Sequence, residues 1–155
     1  MIILRYLYGS PIYLIKKENP MNDKFMSDKI RVMVIDDEVH MVHLISRMLE
    51  GFGFVPIESG SGKNALNILD EMLERDEILP DIITCDISMP NINGYEFLTI
   101  VKENPKLAHI PIIMLTAMGQ MSEAKHAKEM GASDYITKPF SAMSLVDILR
   151  EHVSK

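Results

Sequence analysis

From Ile30 onward the chain alternates short apolar runs with amphipathic stretches. Ile30 to Ile35 is apolar apart from Arg31, the pattern of a strand covered on both faces. Val39 to Glu50 places Val42, Ile45, Met48 and Leu49 at helical spacing, and Gly51 and Gly53 stop it. Phe54 to Ile57 predicts a weaker second strand, at a sheet edge because Pro56 has no N–H to donate. Ser61 to Arg75 carries Ala65, Ile68, Leu69, Met72 and Leu73 on one helical face, and Pro80 precedes a third strand, Ile82 to Cys85. Gly94 to Glu103 predicts a helix with Phe97, Leu98 and Val101 inward, ended by Asn104-Pro105. A fourth strand follows at Ile110 to Leu115. The helix from Gln120 to Met130, closed by Gly131, has few anchors: Met121, Ala124, Ala127 and Met130. Tyr135 to Thr137 predicts a fifth strand, and Ser141 caps a last helix that buries Leu145, Ile148 and Leu149. Strand and helix thus alternate five times, which predicts an α/β fold with a five-stranded parallel sheet and helices on both faces.

Ahead of this pattern, Met1 to Ile15 is apolar but carries Arg5 and is broken by Gly9-Ser10-Pro11. A membrane span needs about 20 apolar residues in a row. A secretory signal puts its positive charge first, whereas Lys16-Lys17-Glu18 follows this run. Residues 1–28 are therefore expected to be a tail outside the main fold, either loosely ordered or added by a start assigned too early, with Met21 and Met26 in frame. Residues 29–155 are expected to form one domain. With 47% hydrophobic and 25% charged residues, the 155-residue chain can bury a single core. A net charge of -6 argues against binding nucleic acid or anionic lipid. The single Cys85 cannot form an internal disulfide, which fits a reducing, cytoplasmic location.

Candidate chemistry lies just after the strands. The first run ends in Asp36-Asp37-Glu38, the third in Asp86, the fourth in Thr116 and the fifth in Lys138. Parallel sheets bind ligands at the carboxyl ends of their strands, near the point where strand order reverses. Three carboxylates crowded there repel one another unless a cation sits among them, and hard oxygen ligands suit Mg²⁺. Lys138 adds a mobile positive charge and Thr116 a hydroxyl donor. Such a set suits a transferring phosphoryl group, whose oxygens each need a positive or donor contact. No Ser, Cys or His occupies a strand end with a base beside it, so the acceptor is expected to be a carboxylate. Taken alone, Asp36-Asp37-Glu38 also fits an acid-rich helix N-terminus.

From Lys29 to its end the sequence resembles the receiver domain of two-component response regulators. The resemblance is carried by Val34-Ile35-Asp36-Asp37-Glu38, Pro80-Asp81, and Asp86 with Met89-Pro90 and Gly94. Leu115-Thr116-Ala117, Gly131-Ala132, Asp134-Tyr135 and Lys138-Pro139-Phe140 complete the ordered set. It implies a flavodoxin-like (βα)5 fold with Asp86 as the phosphoacceptor. Asp37 and Asp86 would ligate Mg²⁺ directly, the Ser88 carbonyl would help, and Asp36 would act through a water. Thr116 and Lys138 would contact the phosphoryl oxygens, Tyr135 would turn inward on activation, and Lys138-Pro139 would be cis. Ser88 and Met118 fall where the lifetime of the phosphoryl group is tuned, and a Met cannot orient an attacking water. Slow loss of the phosphate is expected.

The resemblance implies a single-domain response regulator phosphorylated by a sensor histidine kinase or a histidine phosphotransfer protein. It would pass the signal to a protein target through the face of the fourth helix, fifth strand and fifth helix (α4-β5-α5 in receiver order). It would be no enzyme beyond its own phosphorylation and dephosphorylation. A Mg-dependent phosphohydrolase with an aspartyl-phosphate intermediate is the rival, but its second Asp usually stands two residues after the nucleophile. A flavodoxin-like cofactor binder would offer hydroxyls and glycines in the first loop, not three acids. His40 and His43, three apart, have no further ligand nearby, and His109, His126 and His152 are likewise read as solvated or packing residues. Cys85 is read as a buried structural thiol.

Overall fold

The computed structural model describes residues 5–7, 10–12, 28–117 and 121–153. Two short strands, β1 (Arg5–Leu7) and β2 (Ser10–Ile12), pair antiparallel in a sheet of their own, within a stretch where the sequence pattern predicts no strand. The remaining elements follow the expected alternation. They are β3 (Arg31–Ile35), α1 (Val39–Gly51), β4 (Val55–Ser59), α2 (Gly62–Glu74), β5 (Ile82–Asp86) and α3 (Gly94–Glu103). Then come β6 (Ile112–Ala117), α4 (Met121–Glu129), β7 (Asp134–Lys138) and α5 (Ala142–Val153).

The five strands β3 to β7 form one parallel sheet in the order β4-β3-β5-β6-β7. The chain steps outward from β3 to β4, then crosses back to lay β5 on the other side of β3. Strand order therefore reverses between β3 and β5. Pro56 does lie in an edge strand, as expected of a residue that cannot donate to a ladder. Helices cover both faces, as the apolar runs of the inner strands require. On one face Met33, Ile35, Ile83, Ile112 and Met114 pack with residues of α2, α3 and α4. On the other, Val32, Val34, Ile82, Ile113 and Leu115 pack with residues of α1 and α5.

The helix ends follow local rules. Asn93 caps α3 with a full capping box, its side chain accepting from Glu96 N while the Glu96 carboxylate accepts from Asn93 N. Ser141 Oγ accepts from Ser144 N at 3.1 Å, which bears out its expected capping role. At the C-terminus of α1, Gly53 takes a φ of 86°, and Phe54 N donates to Leu49 O. The same closure ends α2, where Glu77 N donates to Met72 O, but the left-handed position is held by Asp76 at a φ of 54°. Among the described residues no helix is long and apolar enough to cross a membrane.

The anchoring of α4 and several strand limits need correction. Met121 does not anchor α4: it is 59% exposed, and the helix buries Ala124 and Ala127 alone. The fourth strand of the large sheet, β6, starts two residues later than expected and runs through Thr116 to Ala117, because those residues still pair with Thr137 and Lys138.

Candidate functional site

Residue parity along the strands decides what meets at the carboxyl edge of the sheet. Successive side chains of a strand point to opposite faces. Val32, Val34, Ile82 and Ile136 face α1 and α5, so Asp36, Asp86 and Lys138, at the same parity on their strands, project toward that side. Asp36 and Asp86 end the two strands between which the order reverses. Thr116 has the parity of Ile112 and Met114, which face α2, α3 and α4. It therefore sits at the same edge but opens toward the other helical layer.

The geometry follows. Lys138 Nζ donates to Asp36 Oδ2 at 2.7 Å and to Asp86 Oδ1 at 3.0 Å. Asp36 is fully buried, and its Oδ1 accepts from Glu38 N at 3.0 Å, so both of its oxygens are engaged. Asp86 and Thr116 are also buried, while Asp37 is exposed. Burial raises the affinity of the Asp86 carboxyl for its proton; the Lys138 bond opposes this, the Asp36 and Asp37 charges add to it, and the net direction is upward. Burial pulls the Lys138 ammonium down, but its bonds to Asp36 and Asp86 outweigh it and hold it above its usual range. Lys138 thus bridges two of the three carboxylates, and one ammonium balances the charge of only one of them.

An excess of clustered negative charge favours a hard cation. One carboxylate oxygen from each of Asp36, Asp37 and Asp86 lies within 4.8 Å of the others, and an all-oxygen donor set of this kind fits Mg²⁺. Because Lys138 and the Glu38 amide already occupy the oxygens of Asp36, Asp37 and Asp86 are the better placed to ligate directly. Ser88 lies in the loop just after β5, with its side chain exposed. The acid-rich helix start is the weaker explanation of Asp36-Asp37-Glu38: α1 has no acid in its first turn, and Glu38 makes no side-chain cap bond.

Gly94 fixes the floor of the site. A Cβ there would lie 2.5 Å from Asp86 O and 2.7 Å from Ile87 Cα, both main-chain atoms. Only glycine lets the start of α3 approach the end of β5 so closely, and Gly94 N donates to Ile87 O at 2.9 Å.

Tyr135 is half-buried on the face that Thr116 shares, diagonal to it across β6 and β7 through the Met114 to Tyr135 and Thr116 to Thr137 pairs. The Lys138-Pro139 peptide is cis, as the resemblance implies. Met118 lies outside the described residues. Cys85 is fully buried, and burial, then the Asp86 and Asp36 charges, push its thiol far above the usual range, which fits a structural thiol. His43 sits 3.6 Å from Glu58 and forms no metal cluster with His40 among the described residues. His126 packs edge-on to Tyr95, and His152 Nε2 lies 2.9 Å from Asp134 Oδ2. Sequence reasoning missed Tyr95, whose hydroxyl donates to the Glu123 carbonyl at 3.0 Å. Its only signal was an aromatic one residue after Gly94.

Comparison with known proteins agrees with this geometry. The response regulator receiver domain family matches residues 32–150. The chain is 36% identical over 116 residues to the phosphate regulon transcriptional regulatory protein PhoB of Klebsiella pneumoniae, covering 75% of this chain and 48% of that protein. It is 30% identical over 138 residues to the sensor histidine kinase CheAY of Helicobacter pylori, covering 89% of this chain and 17% of that one. The chain thus spans half or less of the length of these relatives. A response regulator receiver domain protein from Clostridium thermocellum superposes with a TM-score of 0.72 at 27% identity, covering 81% of this chain and 94% of that one. The chemotaxis protein CheY4 of Vibrio cholerae gives 0.69 at 25% identity, covering 79% and 98%. With the matched family spanning every strand of the large sheet and the acid–lysine cluster at its edge, the chain belongs to the receiver domain family of response regulators.

Proposed function

We propose that this protein accepts a phosphoryl group on Asp86 in a Mg²⁺-dependent reaction and signals by a change of conformation. The observation that carries this is the pair of hydrogen bonds from Lys138 to Asp36 and Asp86 at the strand-order reversal. A carboxylate oxygen of Asp86 attacks the phosphorus of a phosphohistidine, the new P–O bond forms as the P–N bond breaks, and the imidazole leaves. Lys138 turns from its carboxylate partners to the incoming anion, and the Thr116 hydroxyl donates to a second phosphoryl oxygen. Asp37, Asp86 and the Ser88 carbonyl would hold Mg²⁺, with Asp36 acting through a water, and the ion would supply charge neutralisation. Water later cleaves the P–O bond and regenerates Asp86, so the protein catalyses only its own modification.

Phosphorylation replaces the single carboxylate charge of Asp86 by a bulkier phosphoryl group carrying about -1.5 to -2. Thr116 moves toward it, the space it leaves admits the Tyr135 ring, and the face formed by α4, β7 and α5 changes shape. The donor is a sensor histidine kinase or a histidine phosphotransfer protein, and the receiver of the signal is a protein that reads this face. The net charge of -6 disfavours direct nucleic-acid contact by this chain. The test is incubation with acetyl phosphate, followed by a phosphate-affinity gel. Wild type should shift with Mg²⁺ and not with EDTA, and Asp86→Asn should not shift. A metal-independent shift, or one that survives Asp86→Asn, contradicts the reading.

A further inference from the structure

Of the five helices that pack on the large sheet, α4 is the least anchored among the described residues, burying only two alanines, Ala124 and Ala127. Its first turn is held by a polar tie. The Tyr95 phenol, in the first turn of α3, donates to the main-chain carbonyl of Glu123 at 3.0 Å. Its ring meets the His126 ring edge-on, with centroids 5.4 Å apart. Beside this tie Glu123 Oε2 is buried and has no hydrogen-bond partner among the described residues. Burial and then the Glu123 charge raise the Tyr95 phenol above its usual range, which keeps it a donor. At the other side of the bond, α3 cannot follow a moving α4, because Phe97, Leu98 and Val101 are fully buried.

We propose that Tyr95 is a positioning residue that latches the first turn of α4 to α3 and so opposes the rearrangement set off by phosphorylation of Asp86. The inference rests on the phosphoacceptor reading above. Thr116 is the last residue but one of the strand that precedes α4, and any displacement of the first turn of α4 away from α3 must break the Tyr95–Glu123 bond. If the two arrangements are in equilibrium, losing the latch shifts the population toward the switched one. By linkage, a ligand that favours the switched arrangement then binds more tightly.

The test uses the full chain, wild type and Tyr95→Phe, a change that removes the hydroxyl and keeps the ring. Hydrogen exchange is followed by mass spectrometry without phosphodonor. Amides of residues 123–130 should exchange about fivefold faster in Tyr95→Phe, the factor that matches one hydrogen bond's net contribution, with α1 and β3 unchanged. Beryllofluoride with Mg²⁺, a phosphoryl mimic, should bind the variant about fivefold more tightly for the same reason. Unchanged exchange in α4, or an equal rise across the domain, overturns the latch. Faster α4 exchange with unaltered beryllofluoride affinity overturns its coupling to the switch. Failure of wild type to bind the probe overturns the phosphoacceptor reading instead, a result told apart from failure of the latch by the exchange data, taken with no probe present.

Discussion

Replacing Gly94 by alanine adds one methyl group at the point where α3 meets the end of β5. The new carbon would lie 2.5 Å from Asp86 O, 2.7 Å from Ile87 Cα and 2.9 Å from Met114 Cε. The Met114 methyl can swing away, but the two main-chain atoms cannot without moving the strand. Optimal carbon contacts lie near 3.5–4.0 Å, so the start of α3 must retreat by about 1 Å. That retreat lengthens the bond from Gly94 N to Ile87 O and loosens the packing of Phe97 and Leu98. Overpacking of this kind costs about 1–3 kcal/mol, and the reduced freedom of the unfolded chain returns up to about 1 kcal/mol. A net loss of about 1–2 kcal/mol is expected. Gly51→Ala makes the same chemical change in the last turn of α1, where an added Cβ meets nothing within 4 Å. It should stabilise by about 0.5–1 kcal/mol. The chain has no Trp, so urea unfolding is followed by far-ultraviolet circular dichroism. A Gly94→Ala protein as stable as wild type, or equal losses from both variants, refutes the argument.

Asp76 holds the left-handed position that ends α2, where Gly53 does so for α1; Asp76→Gly should therefore raise stability by about 0.5–1 kcal/mol in the same unfolding assay. Burial raises the Asp134 carboxyl, but His152, the Tyr135 amide and Lys128 outweigh it and hold the group below its usual range. A depressed carboxyl stabilises the fold above its unfolded value, near pH 3.9, and loses that contribution as pH falls through the folded value. Asp134→Asn should thus cost about 1 kcal/mol at neutral pH, and the gap to wild type should close on acidification below about pH 4; a gap independent of pH counts against the ion pair. Met118→Glu should shorten the lifetime of the phosphoryl group, measured by loss of label after removal of the donor, and an unchanged lifetime opposes the expected tuning role.

Much of this was legible in the sequence because polar residues interrupt apolar runs at strand ends, and parity alone decides their side. Asp36, Asp86 and Lys138 could be placed at one edge from that signal, and the structure joins them by hydrogen bonds. Strand limits were less legible, since pairing and not polarity ends a strand: Glu58 and Ser59 stay in β4 because Val34 and Ile35 pair with them. The alanine spacing of α4 was visible, but Met121 at the same periodicity is exposed, since only packing tells which anchors are used. The tie between Tyr95 and Glu123 joins residues of different helices, and no local pattern records which helices are neighbours. Asp76 carries no glycine signal for the left-handed turn it makes.

The central claim is that the acid–lysine cluster lets one carboxylate, Asp86, hold a phosphoryl group. Intact-mass measurement after incubation with acetyl phosphate and Mg²⁺, followed by peptide mapping of the acyl phosphate, addresses it most directly. The account predicts one added phosphoryl group per chain, located at Asp86 and absent from Asp86→Asn. An unmodified chain, or a phosphoryl group mapped to any other residue, contradicts it.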